Sequence, residues 1–228
     1  MPIVNDKNSL KSLRFSAHKN KNRELQTHVT VNHTIPVSRA ENKLAGAAQA
    51  FSYDFRDKLV LDIGSSTGGF TEYAINHGAK RVIAVEKGTK QMKAPLRYDQ
   101  RINLYEKTDI FSITRESLSK DENKIDTILA DVSFVSLKKV LDYAKKHLAY
   151  RKTDFLVMLK PQFEAKPYEL KNGIVKNEKI RRGIIKDFEV WLKDHGFIII
   201  NKRDNLLAGK NGNLERFYYL KIAKKTNY

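Results

Sequence analysis

A lysine that ends an apolar run is the first candidate for chemistry in this 228-residue chain. Residues 154–164 read DFLVMLKPQFE, so that Lys160 is followed at once by Pro161. Buried strands rarely end on a flexible cation without a use for it, and proline fixes the backbone at the point where the strand stops. We therefore expect Lys160 to lie at a functional edge of a sheet, with partners from elsewhere in the chain.

A glycine-rich segment is the second candidate. Residues 60–78, VLDIGSSTGGFTEYAINHG, follow a predicted strand and open a predicted helix, which is where a doubly wound sheet binds nucleotide-like ligands. The segment is not G-x-G-x-x-G, because Asp62 and Gly64 precede the pair Gly68 and Gly69. A carboxylate in this place suits a ligand with a cationic amino-acid end and no phosphate, as in S-adenosylmethionine. A tight strand-to-helix turn without a ligand is the alternative.

Acidic residues at the ends of the next two predicted strands strengthen the cofactor prediction. Glu86 ends the strand that follows the glycine segment, where a carboxylate can hold the ribose hydroxyls of a cofactor. Asp109 ends the strand after that, and it either contacts an adenine or caps a turn. Together with the glycine segment, these two positions predict S-adenosylmethionine as cofactor.

Short apolar strands alternate with helical stretches from about residue 37 onward. The predicted strands are 58–64, 81–86, 102–108, 124–132, 155–160, 196–202 and 215–222. Helices between strands favour a parallel sheet covered on both faces, but the link between the last two strands is too short for a helical crossover. We predict an α/β fold with a Rossmann-like, doubly wound, seven-stranded methyltransferase sheet, mostly parallel, with a C-terminal antiparallel hairpin.

The helix predicted over residues 178–196 has the clearest amphipathic pattern. Its apolar side chains fall on one face, and Gly196 ends it. They are Ile180, Ile184, Ile185, Phe188, Trp191 and Leu192. An earlier helix is predicted to begin after Ser38, a good N-cap residue.

The charge of the chain indicates a polyanionic partner. The formal net charge is +17, and neutralising phosphates with lysine and arginine releases counterions, so RNA is the partner we expect first. An anionic membrane surface and a basic surface that only aids solubility are the alternatives. Residues 1–36 are polar and basic, and we predict a largely irregular N-terminal arm, either solvated or in contact with RNA, with a possible short strand at 29–35. The catalytic domain is predicted over 37–228.

Composition excludes several kinds of site. The chain has no cysteine, so disulfides, thiol catalysis and cysteine-bound metals are ruled out. The six histidines show no metal-ligand spacing, and we expect no metal. No apolar run approaches the ~20 residues of a membrane span, and the first residues lack a secretory signal, so we expect a cytoplasmic protein. A basic transit peptide is the alternative for that segment.

Several short motifs occur in one order along the domain. They are VSRAENKLAGA, LDIGSSTGGFTE, AVEKGTKQM, LRYDQRINLYEKTDI, ADVSFVSL, LKPQFEA, NGIVKN and GNLERF. In this order and spacing, the domain from about 37 to 222 resembles the TlyA (hemolysin A-like) branch of the FtsJ-type RNA 2′-O-methyltransferases. Two motifs depart from the family pattern, and the 36-residue arm is too short for the small N-terminal RNA-binding domain that the family usually carries.

The resemblance implies four catalytic residues, a Lys-Asp-Lys-Glu tetrad that transfers a methyl group to a ribose hydroxyl. Matched position by position, these are Lys43, Asp131, Lys160 and Glu215. We expect Lys160 to act at the hydroxyl, by taking its proton or by aiming its lone pair, while the other three set its position and charge. The predicted cofactor-binding residues are Asp62, Gly64, Ser65, Ser66, Thr67, Gly68, Gly69, Phe70, Glu86, Lys87, Asp109, Ile110 and Asp131.

The link between the fifth strand and the last helix is predicted to contact substrate. Its length, prolines and basic residues are typical of a loop over a site. The candidate phosphate contacts are Arg39, Lys166, Lys171 and Lys176. Phe134 and Phe163 either stack on bases or pack under the loops.

The function predicted from these features is S-adenosylmethionine-dependent 2′-O-methylation of RNA, typically ribosomal RNA. Two alternatives are an RNA-binding or ribosome-assembly factor with little catalysis, and a methyltransferase for a substrate other than RNA. The glycine segment and the complete tetrad disfavour the first, and the net charge disfavours the second. The pattern of residues does not indicate an oligomeric state.

Overall fold

A seven-stranded sheet lies at the centre of the computed structural model, which describes residues 39–205, 209 and 212–224. Its helices are α1 (Arg39–Phe51), α2 (Gly69–Asn76), α3 (Leu137–His147) and α4 (Glu178–Asp194). Its strands are β1 (Leu59–Ile63), β2 (Arg81–Val85), β3 (Ile102–Tyr105), β4 (Thr127–Ala130), β5 (Asp154–Leu159), β6 (Phe197–Asp204) and β7 (Arg216–Ile222). The N-terminal arm, the strand at 29–35 and the cap at Ser38 lie outside the described residues.

The strand order β3-β2-β1-β4-β5-β7-β6 confirms the predicted fold class. Strands β1 to β5 pair in parallel, and β7 pairs antiparallel with both β5 and β6. The predicted antiparallel pair is therefore present, with β7 inserted between β5 and β6. The third strand ends at Tyr105, earlier than expected, and Lys107 just beyond it has φ +52, which does not fit an extended strand.

Both faces of the sheet are covered by helices, as its apolar strands require. Helices α3 and α4 bury Val140 and Phe188 on one face. On the other face, α1 and α2 bury Leu44 and Phe70. The central strands β1 and β5 are buried along their whole length, and each fully buried apolar side chain stabilises the fold by about 1.5–3 kcal/mol.

Helix α4 follows the amphipathic pattern read from the sequence. It buries Ile184, Ile185 and Leu192 with Phe188, while Asn177 caps its first turn by accepting hydrogen bonds from two backbone amides. Beyond its C-terminus the backbone turns at a glycine with positive φ, as expected for a helix stop.

The register of the sheet brings distant residues to one edge. Leu159 at the end of β5 pairs with Arg216 at the start of β7, so Lys160 and Glu215 leave the sheet side by side. Strand β4 is parallel to β5 and ends one residue before Asp131. Three of the four predicted catalytic residues therefore lie at the carboxyl edge of the parallel strands, the edge at which such folds bind ligands.

Candidate active site

The glycine segment after β1 makes a turn that other residues could not make. Gly64 has φ +81, and a Cβ there would come 3.0 Å from the carbonyl oxygen of Asp131. Gly68 has φ +99, and a Cβ there would collide with the side chain of Leu96. Gly64 therefore lets the turn pass close to the end of β4, and Gly68 lets it pack closely against Leu96.

A first cavity of about 670 Å³ lies beside this turn, at the carboxyl ends of β1, β2 and β4. Seven of the predicted cofactor-binding residues line it. They are Gly64, Ser66, Glu86, Lys87, Asp109, Ile110 and Asp131. Apolar side chains such as Val132 and Phe111 complete the wall, so the cavity can hold a flat apolar ring together with polar groups.

Glu86 and Asp109 both face the first cavity and also hold the local backbone. Glu86 accepts hydrogen bonds from the amides of Ser66 at 2.9 Å and Gly88 at 2.6 Å. Asp109 accepts from the amide of Phe111 at 3.2 Å and pairs with Lys87 at 3.0 Å. The Phe111 amide and then the Lys87 ammonium lower the pKa of Asp109. Asp109 therefore caps a turn, one of the two alternatives from the sequence, and it also lines the first cavity. Its contact with an adenine stays a prediction.

Asp62 lies beneath the glycine turn and lines neither cavity. One carboxylate oxygen, Oδ2, accepts a 2.6 Å hydrogen bond from the hydroxyl of Thr71 on α2. The other, Oδ1, has no hydrogen-bond partner among the described residues. Burial raises the pKa of Asp62 to about 7, and the nearby charge of Asp131 adds to this effect. A half-satisfied buried carboxylate fits a bound group that brings positive charge to the turn.

A second cavity of about 600 Å³ adjoins the first. Gly64, Ser66, Asp131, Ser133 and Phe134 line both cavities. All four predicted catalytic residues line the second cavity. Four predicted cofactor-binding residues of the glycine turn also line the second cavity and not the first, whereas Asp62 and Gly68 line neither. The four turn residues of the second cavity are Ser65, Thr67, Gly69 and Phe70.

Two lysine–carboxylate pairs form the polar wall of the second cavity. Lys43 on α1 donates to Glu215 at 2.5 Å. Lys160 after β5 lies 2.6 Å from Oδ1 of Asp131 and donates a 2.9 Å hydrogen bond to Ser133. Lys43 and Glu215 are only 11% and 3% exposed at their side chains, so this pair is almost fully removed from water. Lys43 is thus held by a hydrogen bond to its carboxylate, whereas Lys160 is held by its hydrogen bond to Ser133 and by the charge of the adjacent Asp131.

The sequence hypothesis placed Lys43 beside Lys160 as a cation that would act on it. The same hypothesis let Asp131 and Glu215 orient and balance the two ammonium groups. In the structure, Lys43 faces Glu215 and Lys160 faces Asp131. An ammonium held in this way donates hydrogen bonds in a fixed direction and has no lone pair of its own to accept one. The wall therefore presents directed N–H donors to whatever enters the second cavity.

Phe134 lines both cavities, and Phe163 lines the second. Phe134 is 93% exposed and has φ +63, a conformation that is costly for a bulky residue. Among the described residues, the one ring contact of Phe134 is with Phe163, tilted at 49° with centroids 5.2 Å apart, and Lys160 lies 5.9 Å from the centre of the Phe163 ring. Phe134 is therefore not a packing residue, and its ring face is open to a planar ligand.

The four predicted phosphate contacts do not share one place. Arg39 at the start of α1 lines the second cavity. Lys166, Lys171 and Lys176 are exposed along the loop between β5 and α4, outside the cavity walls.

Sequence reasoning missed several residues that line the second cavity, including Ser133, Gln162, Gly173 and Asn213. Each lies inside or beside a quoted motif, but its type alone gave no signal of function. Within residues 39–205, 209 and 212–224, no group of three or more histidines and carboxylates is arranged to hold a metal. None of the helices in that same part of the chain has the length and apolar character needed to cross a bilayer.

Comparison with known proteins gives relatives over most of the chain. Residues 36–221 match the FtsJ-like methyltransferase family. The chain is 35% identical over 181 residues to Hemolysin A of Brachyspira hyodysenteriae, covering 78% of this chain and 74% of that protein. It is 33% identical over 196 residues to the 16S/23S rRNA (cytidine-2′-O)-methyltransferase TlyA of Mycobacterium tuberculosis, covering 86% and 72%. A solved hemolysin-type structure from Streptococcus thermophilus, 31% identical, gives a TM-score of 0.79 over 85% of this chain and 69% of that chain.

Proposed function

Because the chain belongs to the FtsJ-like methyltransferase family, we propose that it transfers a methyl group from S-adenosylmethionine to the 2′-hydroxyl of a ribose in ribosomal RNA. The family itself was predicted from the motifs and is confirmed. The rRNA specificity named for the M. tuberculosis relative supports the choice of substrate. The net charge of +17 supports it independently, because a polyanion is the partner such a chain attracts.

One observation supports the proposal most strongly: two lysine–carboxylate pairs line a cavity that adjoins a cavity of cofactor size. Asp131 belongs to both cavities, and its partner Lys160 lies on the side of the second. A hydroxyl placed at Lys160 would therefore lie next to a methyl donor held in the first cavity. Methyl transfer is an in-line displacement, for which such placement is the main requirement.

We assign the first cavity to S-adenosylmethionine. Glu86 would hold its ribose, Ile110 and Asp109 would flank its adenine, and the glycine turn above Asp62 would hold its amino-acid end. Bound there, the cofactor would supply a methyl group activated by a sulfonium. The lining of the first cavity by Glu86, Asp109 and Ile110 supports this assignment. The unpaired oxygen of Asp62, beneath the turn, and the unpaired hydroxyl of Ser65, on the second cavity, are buried polar atoms that support a polar group bound at the turn between the cavities.

Lys160 is the residue that we assign to the ribose hydroxyl. A cofactor held in the first cavity would supply the methyl group to O2′, and the hydroxyl proton would pass to Lys160 in its neutral form or to solvent water. While paired with Asp131, Lys160 donates to the hydroxyl oxygen and aims its lone pair; it can take the proton only after losing one of its own. Lys43 and Glu215 fix the opposite wall and hold the ribose in place.

The open ring of Phe134 is assigned to the base of the target nucleotide. Stacking of a base on an aromatic ring contributes about 1–3 kcal/mol and tolerates any base. Arg39, Lys166, Lys171 and Lys176 would contact the phosphates on either side. We further assign residues 37–228 to the methyltransferase domain and the arm, 1–36, to RNA contact, in a protein that acts in the cytoplasm where ribosomes are assembled.

The proposal is tested by replacing Lys160 with alanine. We expect Lys160→Ala to lower the rate of methyl transfer to ribosomal RNA by about 100-fold or more, the usual scale for a residue that moves or orders a reacting proton. Cofactor affinity should stay within about twofold of wild type, because Lys160 lines only the second cavity. Lys152→Ala, an exposed lysine in the turn before β5, is the matched control. Near-full transfer by Lys160→Ala with cofactor bound would refute the assignment.

A further inference from the structure

The loop between β5 and α4 makes a tight turn over the second cavity. The amide of Lys171 donates to the carbonyl of Ile174 at 2.9 Å, and Asn172 and Gly173 take φ +54 and +74. Two successive residues with positive φ are typical of a two-residue hairpin turn, for which Asn-Gly is the preferred pair. Gly173 lines the second cavity, so this turn, residues 171–174, is part of its wall.

Asn213 joins this turn to the other side of the cavity. Its Oδ1 accepts from the amide of Val175 at 3.1 Å, and its Nδ2 donates to the carbonyl of Gly173 at 3.1 Å. The side chain is buried, with 4% of the residue exposed, and it also lines the second cavity. The oxygen and the nitrogen of the Asn213 side chain are therefore both hydrogen-bonded to the backbone at residues 173 and 175, which are distant from Asn213 in the sequence.

The chain around Asn213 also fixes Glu215. The carbonyl of Asn213 accepts from the amide of Gly209 at 2.8 Å, and the amide of Asn205 donates to the carbonyl of Glu215 at 2.9 Å. A Cβ at Gly209 would collide with the Glu215 carboxylate, so the backbone is pressed against that side chain. A displacement of Asn213 would therefore also shift the carboxylate of Glu215, which pairs with Lys43.

We propose that Asn213 is a positioning residue that fixes the 171–174 turn relative to Glu215 and so aligns the loop over the second cavity with the catalytic wall. The inference rests on the proposed function, because the loop is taken to contact RNA. Loss of the amide would leave Gly173 and Val175 free to bond water at the cavity, so its cost in stability is small. The effect on the rate of methyl transfer is larger, because small misplacements of a reacting group slow transfer strongly.

The test is Asn213→Ala, with Asn201→Ala on the exposed edge strand β6 as the matched control. We expect the single-turnover rate at saturating ribosomal RNA to fall about 10- to 100-fold for Asn213→Ala. Cofactor affinity should change less than about twofold, and hydrogen exchange at the Val175 amide should accelerate. The control should match wild type in all three.

Two results would overturn the proposal: a wild-type transfer rate in Asn213→Ala, or a Val175 amide that exchanges freely in the unaltered protein. The second measurement needs no variant, so it decides the question even if Asn213→Ala fails to fold. If the unaltered protein transfers no methyl group to RNA, the proposed function fails, and exchange at Val175 then tests the anchoring of the turn alone.

Discussion

At the scale of single residues, the lysines and carboxylates of the second cavity show what a sequence can and cannot reveal. Lys160 was expected at a functional edge because a cation ended an apolar run, and the structure places it there. Its pairing with Asp131, and that of Lys43 with Glu215 at a separation of 172 residues, could not be read from spacing. Spacing constrains neighbours along the chain, whereas these pairs depend on how the strands are ordered.

Asp62 was predicted to bind the cofactor, and the structure places it fully buried under the glycine turn. Its contact with a ligand stays a prediction. The residue type did not indicate that Asp62 would be fully buried, because a carboxylate at the end of a strand is usually solvated. The bond from Thr71 explains the position, since it ties the end of β1 to α2.

The burial of Asp62 predicts a specific pH dependence. Its folded pKa of about 7 lies above its ordinary value of 3.8, so its contribution to stability is full below about pH 4 and is lost as pH rises towards 7. Asp62→Asn removes this titration. We expect the stability of the variant relative to wild type to increase by about 1.4 kcal/mol per pH unit within that window.

Urea unfolding of both proteins at pH 5 and pH 7, without cofactor, measures this difference. An equal difference at the two pH values would contradict the buried, titrating carboxylate. Cofactor binding by Asp62→Asn should be weaker at pH 8, where wild type carries the charge.

At the scale of elements, the strands and helices were predictable because each forms from local patterns. Apolar runs gave the seven strands, and a 3.6-residue period gave α4. The position of β7 between β5 and β6 was not predictable, because the sequences of β6 and β7 do not indicate which of the two pairs with β5. The loop over the site was expected from its length and charge, but its anchoring by Asn213 depends on contacts 38 and 40 residues apart.

A second side chain anchors the start of that loop. Glu164 accepts from the hydroxyl of Ser136 at 2.7 Å and from the amide of Leu137 at 2.6 Å, and so caps the first turn of α3 from outside the helix. Burial raises the pKa of Glu164, while these hydrogen bonds oppose the rise. The hydrogen bonds of Glu164 therefore hold the start of the loop, which includes Phe163, against the segment before α3, which includes Phe134.

Glu164→Ala is expected to lower the free energy of unfolding by about 1–2 kcal/mol, the usual cost of a lost helix cap and its hydrogen bonds. Urea unfolding measures the loss, with the exposed Glu116→Ala as control. We also expect slower methyl transfer to RNA with unchanged cofactor affinity, because the rings of Phe134 and Phe163 lose their support. Unchanged stability would show that Glu164 does not act as a cap.

At the scale of the whole molecule, composition and alternation were sufficient to predict the class of fold. Strands separated by helices allow few arrangements other than a doubly wound sheet, and such a sheet binds ligands at the carboxyl edge. The two adjoining cavities at that edge follow from this architecture. The proposal of RNA as substrate rests on the net charge and on the family resemblance. These features indicate which class of molecule the protein binds, but they do not identify the atom that is modified.

The atom that receives the methyl group distinguishes the proposed function from its alternatives. Incubation of the protein with methyl-labelled S-adenosylmethionine and purified ribosomal subunits, followed by digestion of the RNA to nucleosides, locates the label. We predict label in a 2′-O-methylnucleoside, because the lysine–carboxylate wall that we assign to the ribose hydroxyl lines a cavity that adjoins the proposed cofactor cavity. Label in a base-methylated nucleoside, or no label in RNA although RNA and cofactor both bind, would contradict that function.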